Sequence, residues 1–174
     1  MASGDSLCVW TALSNEPPDD DFATLDTILT ASADSPNDVV PVLDFDPGAT
    51  KEYAAFSAVM PAHYGGGGVT LTLMWSSDAT SGNVKWDAAF KSFTDDADDL
   101  DVKVYAAVNT VTVATASAAG EIDYAVITFT NGADMDSVAA GEYFRLSISR
   151  DSAAGADTMD SNDAELIAIY LRET

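Results

Sequence analysis

Side-chain catalysis needs a nucleophile and a base placed beside it, and this chain holds few residues that could form such a pair. It contains one histidine, His63, and one cysteine, Cys8. A Ser–His or Cys–His pair requires the imidazole within hydrogen-bond reach of the nucleophile. His63 lies between Pro61 and a run of glycines, which reads as a surface turn. Cys8 is far from it in sequence and reads as a small apolar packing residue. A single cysteine makes neither an internal disulfide nor a multi-thiolate metal site, and a single histidine cannot build a His-based zinc site. The four glycines 65–68 are not followed by Gly-Lys-Ser or Gly-Lys-Thr, and a strand pattern comes next. Phosphate binding by such a loop needs the N-terminal amides of a helix, so the run reads as a flexible connector. Paired carboxylates could hydrolyse glycosides, yet none stands on an inward strand position beside aromatic residues. The expectation is a protein that is not an enzyme.

Hard cations such as calcium want several oxygens close together. The acidic loop Asp95-Asp96-Ala97-Asp98-Asp99-Leu100-Asp101 is therefore the best metal candidate, with Asp157-Thr158-Met159-Asp160-Ser161-Asn162-Asp163 similar in look. The first loop lacks the glycine and the glutamate that an EF-hand requires, and a plain solvated loop is the competing reading. Sugar binding uses exposed aromatic rings, and the acidic and small-residue loops argue mildly against it; Tyr53, Tyr64 and Tyr105 are the only ready candidates.

Charge narrows the partners. Seven Lys and Arg against 29 Asp and Glu give a net charge of −22. Such a surface repels phosphate backbones and anionic lipid, which argues against nucleic-acid and membrane partners, and it keeps many copies soluble. No run reaches the roughly 18 apolar residues needed to span a bilayer. The first residues lack the basic region of a signal peptide.

The 174 residues fit one domain, and 47% of them are hydrophobic, enough for a real core. Residues 1–37 differ in texture from the rest. Pro17-Pro18-Asp19-Asp20-Asp21 and Ala33-Asp34-Ser35-Pro36 interrupt regular structure. This predicts an extended arm with apolar anchors Trp10, Phe22, Leu25 and Leu29, and the spacing of Phe22, Leu25, Ile28 and Leu29 suits a short helix. From residue 38 to 174 short β-type runs alternate with turns. They are Val39–Phe45, Glu52–Met60, Val69–Trp75, Val84–Phe93, Val102–Val113, Ile122–Phe129, Tyr143–Arg150 and Ala164–Leu171. Eight antiparallel strands of this length predict an all-β jelly-roll sandwich preceded by the arm, with an immunoglobulin-like sandwich as the alternative. The core is expected around Trp75, Trp86, Phe56, Phe90, Leu71, Leu73, Val126, Phe144, Leu146 and Ile148.

Several stretches together carry a family resemblance. They are Val42-Leu43-Asp44-Phe45-Asp46, Met60-Pro61-Ala62-His63-Tyr64, Leu71-Thr72-Leu73-Met74-Trp75 and Ser81-Gly82-Asn83-Val84-Lys85-Trp86. Asn131 to Ser137, Ala140 to Arg145 and the last twelve residues continue it. Over residues 39–174 the chain resembles a family of small virion proteins of tailed phages and marine viruses. The resemblance implies a capsid decoration (cement) protein. On the outer capsid surface of a virion it is expected as a homotrimer, because threefold positions are natural docking points in an icosahedral lattice, and it would bridge copies of the major capsid protein. No catalytic motif comes with it. The arm anchors would fill grooves on neighbouring subunits, and extended backbone could add to a sheet edge. The alternative is a tail-fibre or receptor-binding head that recognises a host carbohydrate through its loops.

Overall fold

Side chains of a strand alternate between its faces, so apolar residues at every second position mark a buried face. In Val69–Ser76 the residues Val69, Leu71, Leu73 and Trp75 are completely buried. The same alternation recurs along the chain in the computed structural model, which describes residues 4–30, 35–48 and 50–174. Ten strands result. They are β1 (Ser6–Thr11), β2 (Thr24–Leu29), β3 (Val39–Phe45), β4 (Glu52–Val59) and β5 (Val69–Ser76). β6 (Asn83–Phe93), β7 (Asn109–Ala114), β8 (Asp123–Phe129), β9 (Tyr143–Arg150) and β10 (Ala164–Glu173) complete the set.

Two antiparallel sheets face each other. One has the order β2-β3-β10-β5-β8, the other β4-β9-β6-β7. On its edge away from β5, β10 pairs with β3 through Ala164–Leu166 and then with β1 from Ala168 to Arg172. The eight strands β3 to β10 cross repeatedly between sheets, and their order is that of a jelly roll. The eight-strand expectation for residues 38–174 is met, and the immunoglobulin alternative gives way.

Aromatic rings fill the space between the sheets. Trp86 stands edge-on to Phe45 at 5.0 Å and to Trp75 at 5.9 Å between centroids. Phe90 meets Phe129 at 4.9 Å and Phe144 at 5.6 Å. Each such pair adds about 0.5–1.5 kcal/mol beyond the area it buries.

Three local expectations are corrected. Val126 is not in the core: it is 45% exposed, while Ala125, Ile127 and Phe129 face inward. Between Val102 and Val113 only Asn109 onward is a strand, although Ala106 still donates a backbone hydrogen bond to Phe90. Phe22–Leu29 holds no helix, because β2 pairs with β3 from Thr24↔Asp44 to Leu29↔Val39. That ladder satisfies the backbone groups a helix would have used.

The described residues of the first 37 are also tied to the sandwich through β1 and β2. β1 and β2 are strands of the six-stranded sheet, and Trp10 packs against Phe56 and Phe144 at 6.2 Å while its indole N–H donates to the Ser57 carbonyl. Of the four anchors, Trp10 is buried, whereas Phe22, Leu25 and Leu29 are exposed.

The glycine run is tied down as well. The Glu173 carboxylate accepts hydrogen bonds from the amides of Gly65 and Gly67. A Cβ at Gly65 would come within 2.8 Å of that carboxylate, and one at Gly68 within 2.6 Å of the Phe129 carbonyl. Gly65 allows close approach to the last strand and Gly68 to the end of β8.

Candidate functional site

Most of the residues singled out for chemistry stand apart from one another. His63 is exposed, its Nε2 3.2 Å from the Ser6 carbonyl oxygen. Cys8 is half-buried, and burial pushes its thiol up to about 11, so it carries little thiolate. In the acidic loop, Asp98 is taken up by Lys103 at 2.8 Å and by the Thr94 amide. Asp95, Asp96, Asp99 and Asp101 are exposed. Among the described residues no three His, Cys, Asp or Glu side chains converge as a metal site. Asp157, of the second acidic loop, is buried against Arg150. Tyr64 is buried in the core, while Tyr53 and Tyr105 are half-exposed.

The two sheets present different outer faces. On the six-stranded sheet, Asp44 lies directly across from Glu165, with Asp26 on the neighbouring strand. Burial, then the charges of Glu165, Asp163, Asp26 and Asp46, push the Asp44 carboxyl up to about 7. Folded Asp44 therefore holds its proton in a range where the unfolded chain has lost it. Its contribution to stability is present below pH ~4 and is lost as pH rises through about 7. Thermal melts at pH ~4.5 and ~7.5 should show Asp44→Asn losing less stability on the alkaline side than the parent chain. Equal pH dependence in both would show that this proton is not coupled to folding.

The outer face of the four-stranded sheet is built in rungs that the strand register fixes. The first rung is Tyr53, Ser149, Asp87 and Thr110, and the second is Ala55, Ser147 and Ala89. The third is Ser57, Arg145 and Lys91, and the fourth is Val59, Tyr143 and Phe93. The loop before β7 carries Tyr105 onto this face, with the Lys91 ammonium 4.6 Å from its ring centroid. Tyr53 and Tyr105 thereby line a cleft of about 120 Å³, with Ala89, Ser147 and Ser149 also in its lining.

Polar groups beside the cleft are held firmly. Asp87 is nearly buried and accepts hydrogen bonds from Lys51 and Thr110, both at 2.5 Å. Burial pushes its carboxyl up, and the bonds from Lys51 and Thr110 outweigh this, leaving it below the usual carboxylate range. Lys85 lies 3.4 Å from Asp87 and 2.8 Å from Asp151. The fourth rung opens onto a cleft of about 380 Å³ at Phe93 and Tyr143, rimmed by Asp95, Asp96 and Asp98. Another cleft, of about 370 Å³, is lined by the loops 78–81 and 158–162 and has no aromatic ring. The arrangement on the four-stranded sheet offers ring faces, hydroxyls and fixed charges on a rigid floor. Binding sites are commonly made this way.

No protein-family model matches the sequence, and no curated protein matches it. Solved structures do resemble the fold. The CBM22-1 xylan-binding domain of Paenibacillus barcinonensis Xyn10C is 9% identical with a TM-score of 0.49, covering 99% of this chain and 97% of that one. A putative sugar binding protein from Bacteroides thetaiotaomicron is 10% identical with a TM-score of 0.46, over 90% and 85% of the two chains. TmCBM61, solved with β-1,4-galactotriose, is 9% identical with a TM-score of 0.43, over 86% and 82%. These are likenesses of fold, in keeping with the two antiparallel sheets described above.

Proposed function

We propose that this chain is a non-catalytic carbohydrate-binding module whose ligand lies across the outer face of the four-stranded sheet. The observation that carries the reading is the Tyr53–Tyr105 cleft with its floor of small residues. A sugar ring has apolar C–H faces and a polar rim of hydroxyls. Tyrosine gives a flat, stiff surface for the faces at low entropic cost. Lys51, Asp87, Ser147 and Ser149 supply donors and acceptors for the rim. Tyr53, Ala89, Ser147 and Ser149 sit on strands, and the Ala106 amide beside Tyr105 is bonded to the Phe90 carbonyl, so much of the geometry is set before binding.

Binding to a panel of neutral and acidic polysaccharides tests this. The parent chain should be retained, and Tyr105→Ala should weaken retention at least about tenfold, since truncating an anchoring aromatic typically costs ~2 kcal/mol or more. Retention unaffected by the substitution would place the ligand elsewhere, and no retention by any polysaccharide would overturn the reading.

A second surface supports a second, compatible role. Leu13, Phe22 and Leu25 are exposed around a groove of about 190 Å³ beside Pro17, and Leu29 and Val39 continue the apolar edge of the sandwich. β2 is an edge strand, with no neighbour beyond it among the described residues. Exposed apolar edges of this kind mark docking surfaces. Together with the resemblance to small virion proteins, this supports attachment to a major capsid protein on the outer shell as a trimeric decoration protein. The four-stranded sheet would then face outward with its glycan site free.

A further inference from the structure

The third rung of the four-stranded sheet's outer face is unusual in its charges. Lys91 and Arg145 are direct cross-strand partners. Like charges placed opposite each other destabilise a sheet, and in a chain with seven cations against 29 acids the pairing is costly when acids are so plentiful. Arg145 has a resident partner: its Nη1 donates to the Glu16 carboxylate at 2.7 Å. Lys91 has no carboxylate within ion-pair distance among the described residues. It contacts the Lys103 carbonyl at 3.4 Å and lies over the Tyr105 and Phe93 rings, at 4.6 and 5.7 Å. Burial, and then the charge of Arg145, hold the Lys91 ammonium below the usual lysine range. Four of the seven cations, Lys51, Lys85, Lys91 and Arg145, belong to this one face.

We infer that the Lys91–Arg145 rung is a subsite for an anionic sugar unit, a uronate carboxylate, within a glycan stacked on Tyr105. The inference rests on the carbohydrate-binding reading above and specifies its ligand. A carboxylate at Lys91 relieves the like-charge rung, and the neighbouring ring receives the sugar's apolar face. The overall charge of −22 opposes an acidic glycan at long range. At physiological salt that repulsion is screened beyond about 8 Å, whereas the contacts to Lys91 are made at hydrogen-bond distance. The site therefore suits a glycan with spaced uronates better than a dense polyanion.

Calorimetry at about 0.15 M salt, with a panel of uronate oligomers, their neutral methyl esters and a sulfated oligosaccharide, tests this. The parent chain should bind one acidic oligomer at least about tenfold more tightly than its ester, the scale of one charge-assisted hydrogen bond. Lys91→Gln should erase that preference, Lys91→Arg should keep it, and Tyr105→Ala should weaken acid and ester alike. Unchanged melting temperatures would show that the variants are folded. Equal binding of acid and ester, or an acid preference that survives Lys91→Gln, would overturn the subsite. Lys91-dependent binding of the sulfated probe alone would overturn the uronate assignment. Tyr105-dependent binding confined to neutral glycans would overturn the subsite and leave the carbohydrate reading standing. Binding to no glycan would overturn both.

Discussion

Replacing Arg150 with methionine is expected to destabilise the fold by about 3–5 kcal/mol, the cost of leaving a buried charge without its partner. Arg150 is almost wholly buried, and all five of its N–H donors are used. Nε and Nη2 form a forked pair with Asp157, both at 3.0 Å. Nη1 donates to the carbonyls of Phe45 and Asn162, and Nη2 also donates to that of Met159. One side chain thus ties the end of β3 to the loop between β9 and β10. Without it, the buried Asp157 carboxylate loses its counter-charge and keeps only the amides of Lys85 and Met159, and the carbonyls of Phe45, Met159 and Asn162 each lose a donor. Denaturant unfolding should show the full loss for Arg150→Met, and the Arg150→Met/Asp157→Leu pair should recover part of it by removing the stranded charge. A loss below ~1 kcal/mol in the single variant would mean that water replaces the guanidinium and that the network is not the lock described here.

Trp10→Ala should cost a similar amount, about 3–5 kcal/mol, by emptying a packed site. The indole touches Phe56 and Phe144 and bonds to Ser57, so β1 is fastened across to the four-stranded sheet. Leu25→Ser and Leu29→Ser should change stability by no more than about 0.5 kcal/mol, because both side chains already face solvent. If the β2 edge is a docking surface, these two substitutions weaken co-sedimentation with capsids while Trp10→Ala acts through folding. Denaturant unfolding of all three separates the roles. A stability loss below ~1 kcal/mol in Trp10→Ala would show that the core closes without this residue.

The strand pattern was legible because period-two alternation survives wherever one face is buried. β3 and β9 match the expected bounds, and β5 and β10 differ only at their ends. The misses have specific causes. In β8, Phe129, Ile127 and Ala125 share a parity that excludes Val126, but the small Ala125 obscured the phase. Arg150 shares parity with Phe144, Leu146 and Ile148, which points it inward, but its partner Asp157 is brought to it only by the fold of the loop after β9. β1 and β2 were hidden by the prolines and acids around them, since their pairing comes from β10 and β3, remote in sequence. Trp10 was grouped with Phe22, Leu25 and Leu29 for the same reason. At the candidate site, Tyr53 and Tyr105 were visible as residue types, whereas Tyr64 could not be told apart from them. The Lys91–Arg145 pairing was illegible because it exists only in the register of β6 with β9.

Amide chemical-shift mapping of the folded chain, titrated with the best-retained polysaccharide fragment, tests the central claim most directly. The account predicts that the shifts concentrate at Tyr53, Ala89, Tyr105, Ser147 and Ser149 and continue to Lys91. Shifts confined to the loops 78–81 and 158–162, or to the β2 edge, with none on the four-stranded sheet, would contradict it.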